Sequence, residues 1–142
     1  MLTQISEFAA NHPLLVLAFV ALLALTFLNE LKIATQRFAS LTPAAAVQLM
    51  NKGDVVLLDV REPTETAGGK IAGAIQIPVG ALSKRVGELE KHKDKTILVY
   101  CKVGSRSSVA CKELTRNGFA KVFSLSGGIM AWQDAHLPVT KK

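Results

Sequence analysis

From Phe8 to Asn29 the chain runs for 22 residues without a formally charged side chain, and Pro13 to Leu28 (PLLVLAFVALLALTFL) holds one polar residue, Thr26. As a helix rising about 1.5 Å per residue, this stretch spans roughly 33 Å. The hydrocarbon core of a bilayer is about 30 Å thick. A buried helix of a small soluble protein would keep a polar stripe, and none is present. A cleaved leader would open on a basic region and close on a small-residue site, and neither is found. The segment reads as a transmembrane helix over about residues 10–30, inside an N-terminal anchor and linker covering residues 1–40.

The flanks give an orientation. Glu7 precedes the stretch with no Lys or Arg, whereas Lys32 and Arg37 follow it. The positive-inside rule then places the C-terminal part in the cytoplasm. Leu31 to Ala39 keeps helix-compatible spacing and could continue the anchor as a stalk.

Charge and cysteine usage narrow the function classes. All 17 Lys and Arg lie from Leu31 onward, against 9 acids in the same part. Such a balance favours small oxyanions or an anionic membrane face. No recognition motif accompanies it, and many bases sit in mixed-charge stretches such as Glu88 to Lys95, so nucleic acid is not an expected partner. The two cysteines, Cys101 and Cys111, are ten residues apart, with no Cys/His cluster at ligand spacing. This argues against a disulfide framework and a metal site, and for a reducing compartment.

Beyond the anchor, residues 41–140 read as one domain. Thr42 can cap a helix with Pro43 in its first position, and Gly53 can stop it. Val55–Val60, Ala74–Pro78, Thr96–Tyr100 and Val122–Leu125 are short apolar runs of buried-strand type. Between them Leu82–Leu89 and Arg106–Arg116 carry helical spacing, the latter with Val109, Ala110 and Leu114 inward and Asn117-Gly118 as its end. A last short helix follows Gly127-Gly128 through Trp132. Strands alternating with helices predict an α/β fold with a mainly parallel central sheet flanked by helices.

Ligands of open α/β sheets bind at the carboxyl ends of the strands. Cys101 stands there, between the strand TILVY and the helix from Arg106. The loop Cys101-Lys102-Val103-Gly104-Ser105-Arg106 can turn its backbone N–H groups toward one point. The helix adds its positive end, and Lys102 and Arg106 add full charge. Each of these lowers a cysteine pKa. Gly104 permits the curvature. A structural cysteine ending a strand is the alternative.

Five segments in order now carry a resemblance: Asp59 to Pro63 (DVREP), Gly69 to Pro78 (GKIAGAIQIP), Tyr100 to Ser107 (YCKVGSRS), Asn117 to Phe119 (NGF) and Leu125 to Trp132 (LSGGIMAW). Over about 100 residues, from Leu41 to Val139, the chain resembles a single-domain rhodanese. With its anchor, and with Gly87 to Lys95, it is similar to the small membrane-bound bacterial members. It departs from the family's pattern at Lys70, where His is usual, and near Ala135 or His136, where Gly is frequent.

The resemblance implies a rhodanese-like fold and sulfur transfer through a persulfide on Cys101, from thiosulfate or a similar small anionic donor to cyanide or a thiol. Lys102, Val103, Gly104, Ser105 and Arg106 would bind the substrate, and Asp59 and Arg61 would support the loop. No metal and no organic cofactor is implied. The site would sit at the cytoplasmic face of the bacterial inner membrane. The alternative is an adaptor of the same fold, tethered to bind a membrane protein partner. Phosphatases of related architecture place Arg six residues after the cysteine; here that position is Ser107, and Arg106 comes one residue early. Cys111 reads as an inert core thiol and Trp132 as packing.

The orientation has a direct check. A fluorescent reporter fused after Lys142 should be active in cells, and a periplasm-dependent phosphatase reporter at the same place should be silent. The opposite pattern would reverse the topology.

Overall fold

The computed structural model describes residues 2–34 and 38–141. The chain forms two compact units, residues 1–36 and 37–142. In the first, helix α1 (Leu2–Asn11) is followed by α2 (Pro13–Ala34). His12 separates them at Pro13, which suits a first helical position. Within α2, Pro13–Leu31 is long and apolar enough to cross a membrane, and its large side chains, Leu14, Leu17, Phe19 and Leu25 among them, are exposed. The proposed stalk includes residues 35–37, which lie outside the described residues.

The second unit is built on a five-stranded sheet of β1 (Ala39–Leu41), β2 (Val55–Asp59), β3 (Ile75–Gln76), β4 (Thr96–Tyr100) and β5 (Val122–Leu125). Their order is β1-β5-β4-β2-β3, and every pairing is parallel. The connecting helices are α3 (Pro43–Lys52), α4 (Pro63–Thr66), α5 (Leu82–Arg85), α6 (Ser105–Arg116) and α7 (Gly128–Asp134).

Local chemistry explains most of these elements. The Thr42 hydroxyl accepts from the Ala45 N–H at 3.3 Å, with Pro43 at the first position of α3. α6 stops at Gly118, which takes φ +87, and the N–H groups of Gly118 and Phe119 return to the carbonyls of Thr115 and Leu114. Parallel strands are covered on both faces, so their sequences are continuously apolar. Alternation still sorts them. Ile97, Val99 and Cys101 join the core that contains Ala110, Cys111 and Leu114 of α6. Leu98 and Tyr100 join the core with Ala46 of α3 and Ile129 and Trp132 of α7. By this parity Cys101 emerges on the α6 face of the sheet.

Several expectations need correction. β1 was not foreseen: Ala39–Leu41 adds a three-residue edge strand beside β5, fixed by register and not by local pattern. The run Ala74–Pro78 pairs only over Ile75–Gln76. Leu82–Leu89 is α-helical only to Arg85 and continues as a 3-10 helix over Val86–His92, which still buries Leu82 and Leu89. Gly53 ends α3 in an extended conformation (φ −179), so its role is not a left-handed cap. Val109 is 59% exposed. The inward stripe of α6 is Ser107, Ala110, Cys111 and Leu114, spaced i, i+3, i+4 and i+7.

The departure near the C-terminus has a backbone reason. His136 takes φ +57, and it is the one non-glycine with positive φ among the described residues. A glycine there would meet the left-handed requirement without side-chain cost. Lys70 is bridged to Thr140 through paired backbone bonds of 2.8 and 2.7 Å, and its ammonium donates to the Ala74 carbonyl.

The α6 assignment separates two substitutions. Leu114→Ala should destabilise the domain by about 2–5 kcal/mol through an unfilled core cavity. Val109→Ala should stay within about 0.5 kcal/mol. Urea unfolding of both variants checks this, and equal losses would show the helix face misassigned.

Candidate active site

β4 delivers Cys101 to the carboxyl end of the sheet, and the chain turns through Lys102-Val103-Gly104 before α6 begins at Ser105. The turn closes tightly because Gly104 adopts φ +110, a region that an L side chain rarely enters. Its N–H then points at the thiol, with N···Sγ 3.0 Å.

The carbonyls of the same loop face elsewhere. Cys101 O accepts from the Ile129 N–H at 2.9 Å, and Lys102 O accepts from the Met130 N–H at 3.2 Å. These donors are open N–H groups in the first turn of α7. The approach is so close that a Cβ on Gly128 would collide with both carbonyls, and Gly128 itself has φ +60. Gly127-Gly128 is thus a steric requirement of the loop, on a separate strand-to-helix junction.

Behind the sulfur lies a hydroxyl pair. Ser107 Oγ is 3.8 Å from Cys101 Sγ, and it contacts Ser124 Oγ at 2.8 Å and the Gly104 carbonyl at 2.9 Å. Both serines are buried. Ser108 adds a second hydroxyl to the Gly104 carbonyl at 3.0 Å.

Two opposed effects set the thiol's acidity. Burial pushes the Cys101 pKa up. The backbone N–H groups of Ser107, Gly104 and Val103 and the Ser107 hydroxyl stabilise the thiolate, and together they hold it below the ordinary cysteine value. Cys111 has no such donors. Burial, with the nearby Cys101 charge, raises it to about 12. The two thiols are therefore chemically distinct, and Cys111 sits in the core as an un-ionised apolar side chain.

The remaining loop residues fall into separate roles. Lys102 and Val103 are exposed. Ser105 is exposed at the start of α6. Arg106 makes a bidentate pair with Glu65 of α4, at 2.6 and 2.7 Å. Its hydrogen bonds to Glu65 raise the Arg106 pKa, and those same bonds hold the Glu65 carboxyl down at about 2.

Asp59 and Arg61 lie at the same end of the sheet as Cys101. Asp59 is opposite Tyr100 in the register, and Arg61 lies over the Tyr100 ring, so both belong to the other face. Asp59 is fully buried and takes the Arg61 Nε and Nη2 at 3.0 and 2.7 Å. Arg61 then donates to the carbonyls of Gly69 at 2.8 Å and Glu65 at 3.4 Å. The pair pins the segment 61–69, which carries Glu65. A cleft of about 260 Å³ opens between that segment and α7, lined by Arg61, Glu65, Gly69, Lys102, Ile129 and Met130. Among the described residues no group of three or more His, Cys, Asp or Glu could hold a metal ion.

Of the six residues expected as one loop, Cys101 to Gly104 form the turn, and Ser105 and Arg106 are the first residues of α6. Sequence reading misses Glu65, Ser107, Ser124 and the α7 donors Ile129 and Met130. Ser107 alone had a local signal, since it lies one helical turn from the cysteine's loop on the buried stripe of α6.

Residues 42–135 match the model of the rhodanese-like domain. YibN of Escherichia coli K12 is 36% identical over 139 residues, which is 97% of each chain. A protein of Allochromatium vinosum named as a sulfurtransferase is 39% identical over 92 residues, 65% of this chain and 84% of that one. The crystal structure of a rhodanese-related protein from Thermoplasma volcanium superposes with TM-score 0.67 at 32% identity, covering 74% of this chain and all of the other.

The site's electrostatics predict a titration. Thiolate ultraviolet absorbance of the native domain should rise with a midpoint below that of an ordinary cysteine, and Cys101→Ser should abolish that step. Ser107→Ala removes a donor to the anion and should move the midpoint upward. A downward or absent shift would mean that the hydroxyl does not stabilise the thiolate.

Proposed function

The chain belongs to the rhodanese-like family, and from that membership we propose that it is a sulfurtransferase that carries sulfane sulfur on Cys101. The reading rests on one observation above the others: the Gly104 N–H lies 3.0 Å from Sγ, in a loop whose Cys101 and Lys102 carbonyls are engaged by α7. A sulfur held there is surrounded by donors at its negative end. The relative from Allochromatium vinosum named as a sulfurtransferase supports the same activity.

The chemistry proceeds in two displacements. The Cys101 thiolate attacks the outer sulfur of thiosulfate, or of a similar donor. A new S–S bond forms to Sγ, the donor's own S–S bond breaks, and sulfite leaves with the electron pair. Cyanide or a thiolate acceptor then attacks the outer sulfur of the persulfide, and Cys101 leaves as the thiolate. No net oxidant is needed, because the sulfane sulfur keeps its oxidation level. The backbone N–H groups of Ser107, Gly104 and Val103 stabilise the thiolate, which is both the starting nucleophile and the final leaving group. Lys102, exposed beside the loop, draws in the anionic donor.

We place this activity at the cytoplasmic face of a bacterial inner membrane, with Pro13–Leu31 as a single-pass anchor. Lys32 and Arg37 after the span support that orientation. The same span favours a second reading, in which the domain is tethered to bind a membrane protein and sulfur transfer is secondary. Sulfur transfer by itself does not require an anchor.

A coupled measurement tests the proposal. The native protein should form thiocyanate from thiosulfate and cyanide, and should gain one sulfur atom by intact mass after thiosulfate alone. Cys101→Ser should lose both. Absence of both in the native protein would leave the adaptor reading, while full activity in Cys101→Ser would remove the assigned nucleophile.

A further inference from the structure

The arginine that follows the loop, Arg106, is already paired with an acidic side chain. Both terminal nitrogens of Arg106 are taken by Glu65, at 2.6 and 2.7 Å. Glu65 is itself held. Its Oε2 also accepts the Glu62 N–H at 3.0 Å, closing a capping box on α4. The backbone carbonyl of Glu65 accepts from Arg61 Nη1, and Arg61 is fixed by the buried Asp59 carboxylate. A relay of contacts thus runs from the core, Asp59 to Arg61 to the 61–69 segment, and ends on the Arg106 guanidinium. The pair is only about one-third exposed on each side, with side chains at 31% and 29%. Bidentate geometry and partial burial both favour a persistent pair.

The consequence is electrostatic. A loop with a free guanidinium would present a full charge matched to the paired oxygens of a doubly charged oxyanion. With Arg106 neutralised, binding rests on backbone dipoles and on the exposed Lys102. We propose that Glu65 is a positioning residue that sets the charge preference of the donor site: by holding Arg106 as an ion pair, it biases the loop toward singly charged sulfur donors, of the persulfide or thiosulfonate class, over dianionic oxyanions such as thiosulfate, sulfate and phosphate. The inference rests on the sulfurtransferase reading, and it adds which donors that site favours.

Glu65→Gln keeps the shape and removes the charge. It should lower the KM for thiosulfate by roughly three- to ten-fold, as expected when one full charge is released toward a dianion across a partly solvated site. The KM for a singly charged aryl thiosulfonate should fall by less than half that factor, and kcat should change little. Arg106→Gln leaves the Glu65 carboxylate unneutralised and should raise the thiosulfate KM. The double variant should return toward the native value. If Arg106 instead binds donors directly, the double variant will keep the high KM of Arg106→Gln, and the proposal fails. It fails equally if Glu65→Gln moves the KM values of both donors by the same factor, or not at all.

A binding readout independent of turnover accompanies the kinetics. Sulfate should raise the thermal unfolding midpoint of Glu65→Gln more than that of the native protein. A stable variant that sulfate stabilises no more than the native protein overturns the proposal. Were Glu65→Gln to unfold, Glu65→Asp, which keeps the charge on a shorter arm, would take its place: weakened pairing should again lower the thiosulfate KM selectively, and a native KM would count against the idea. Failure of native thiocyanate formation is a different result, and it bears on the sulfurtransferase reading alone.

Discussion

Two backbone hydrogen bonds between sequence-distant segments organise this domain: Ile129 N–H to Cys101 O and Met130 N–H to Lys102 O. A peptide unit carries its donor and acceptor in opposite directions. Fixing the carbonyl of residue 102 on α7 therefore turns the Val103 N–H of the same peptide unit to the other side, where it is one of the donors to the sulfur. The same bonds occupy N–H groups that the first turn of α7 would otherwise leave open. They demand that Gly128 carry no side chain, because any Cβ there would strike the carbonyls it has to approach. The reactive loop and the last helix are thus one structural unit, although β5 and all of α6 lie between them in the chain.

The acidity of Cys101 follows from this arrangement. Burial works against a thiolate, and it is the larger single influence on the thiol; only the sum of several modest donors reverses it. No one of them is a full charge at the sulfur. Parity along β4 puts Cys101 on the α6 face, where Ser107, paired with Ser124, supplies a further hydroxyl from behind. On the opposite face Asp59 and Arg61 stiffen the segment that lines the cleft. The carboxyl end of the sheet is in this way divided. One face holds the sulfur, and the other holds the scaffold that shapes its approach.

Much of this was legible in the sequence wherever the determinant is local. The strands β2, β4 and β5 announce themselves as apolar β-branched runs, and the start of α3 is written in Thr42-Pro43. The cysteine loop is equally plain, because a strand end, a glycine and a helix start are contiguous. What stayed hidden depends on distance along the chain. β1 is three residues long and exists through its register with β5. Glu65 meets Arg106 across 41 residues, and nothing near either residue announces the other. Val109 misled for a different reason: an apolar β-branched residue beside a buried Ala110 suggests an inward face, but a one-residue step on a helix turns it out to solvent.

Sulfur transfer places contrary demands on one atom. In the first displacement Sγ must be a nucleophile, and intrinsic nucleophilicity falls as a thiol becomes more acidic. In the second, Sγ must leave as a thiolate, which is easier for a more acidic thiol. The best compromise is a pKa near ambient pH, reached by moderate stabilisation and not by the strongest available. A guanidinium placed directly on the sulfur would favour departure at the expense of attack. Backbone dipoles, offset by burial, give a smaller net effect on the thiolate. Engaging Arg106 with Glu65 is consistent with that balance. It offsets the guanidinium charge at the rim of the site and leaves the reactivity of Cys101 to the loop that encloses it.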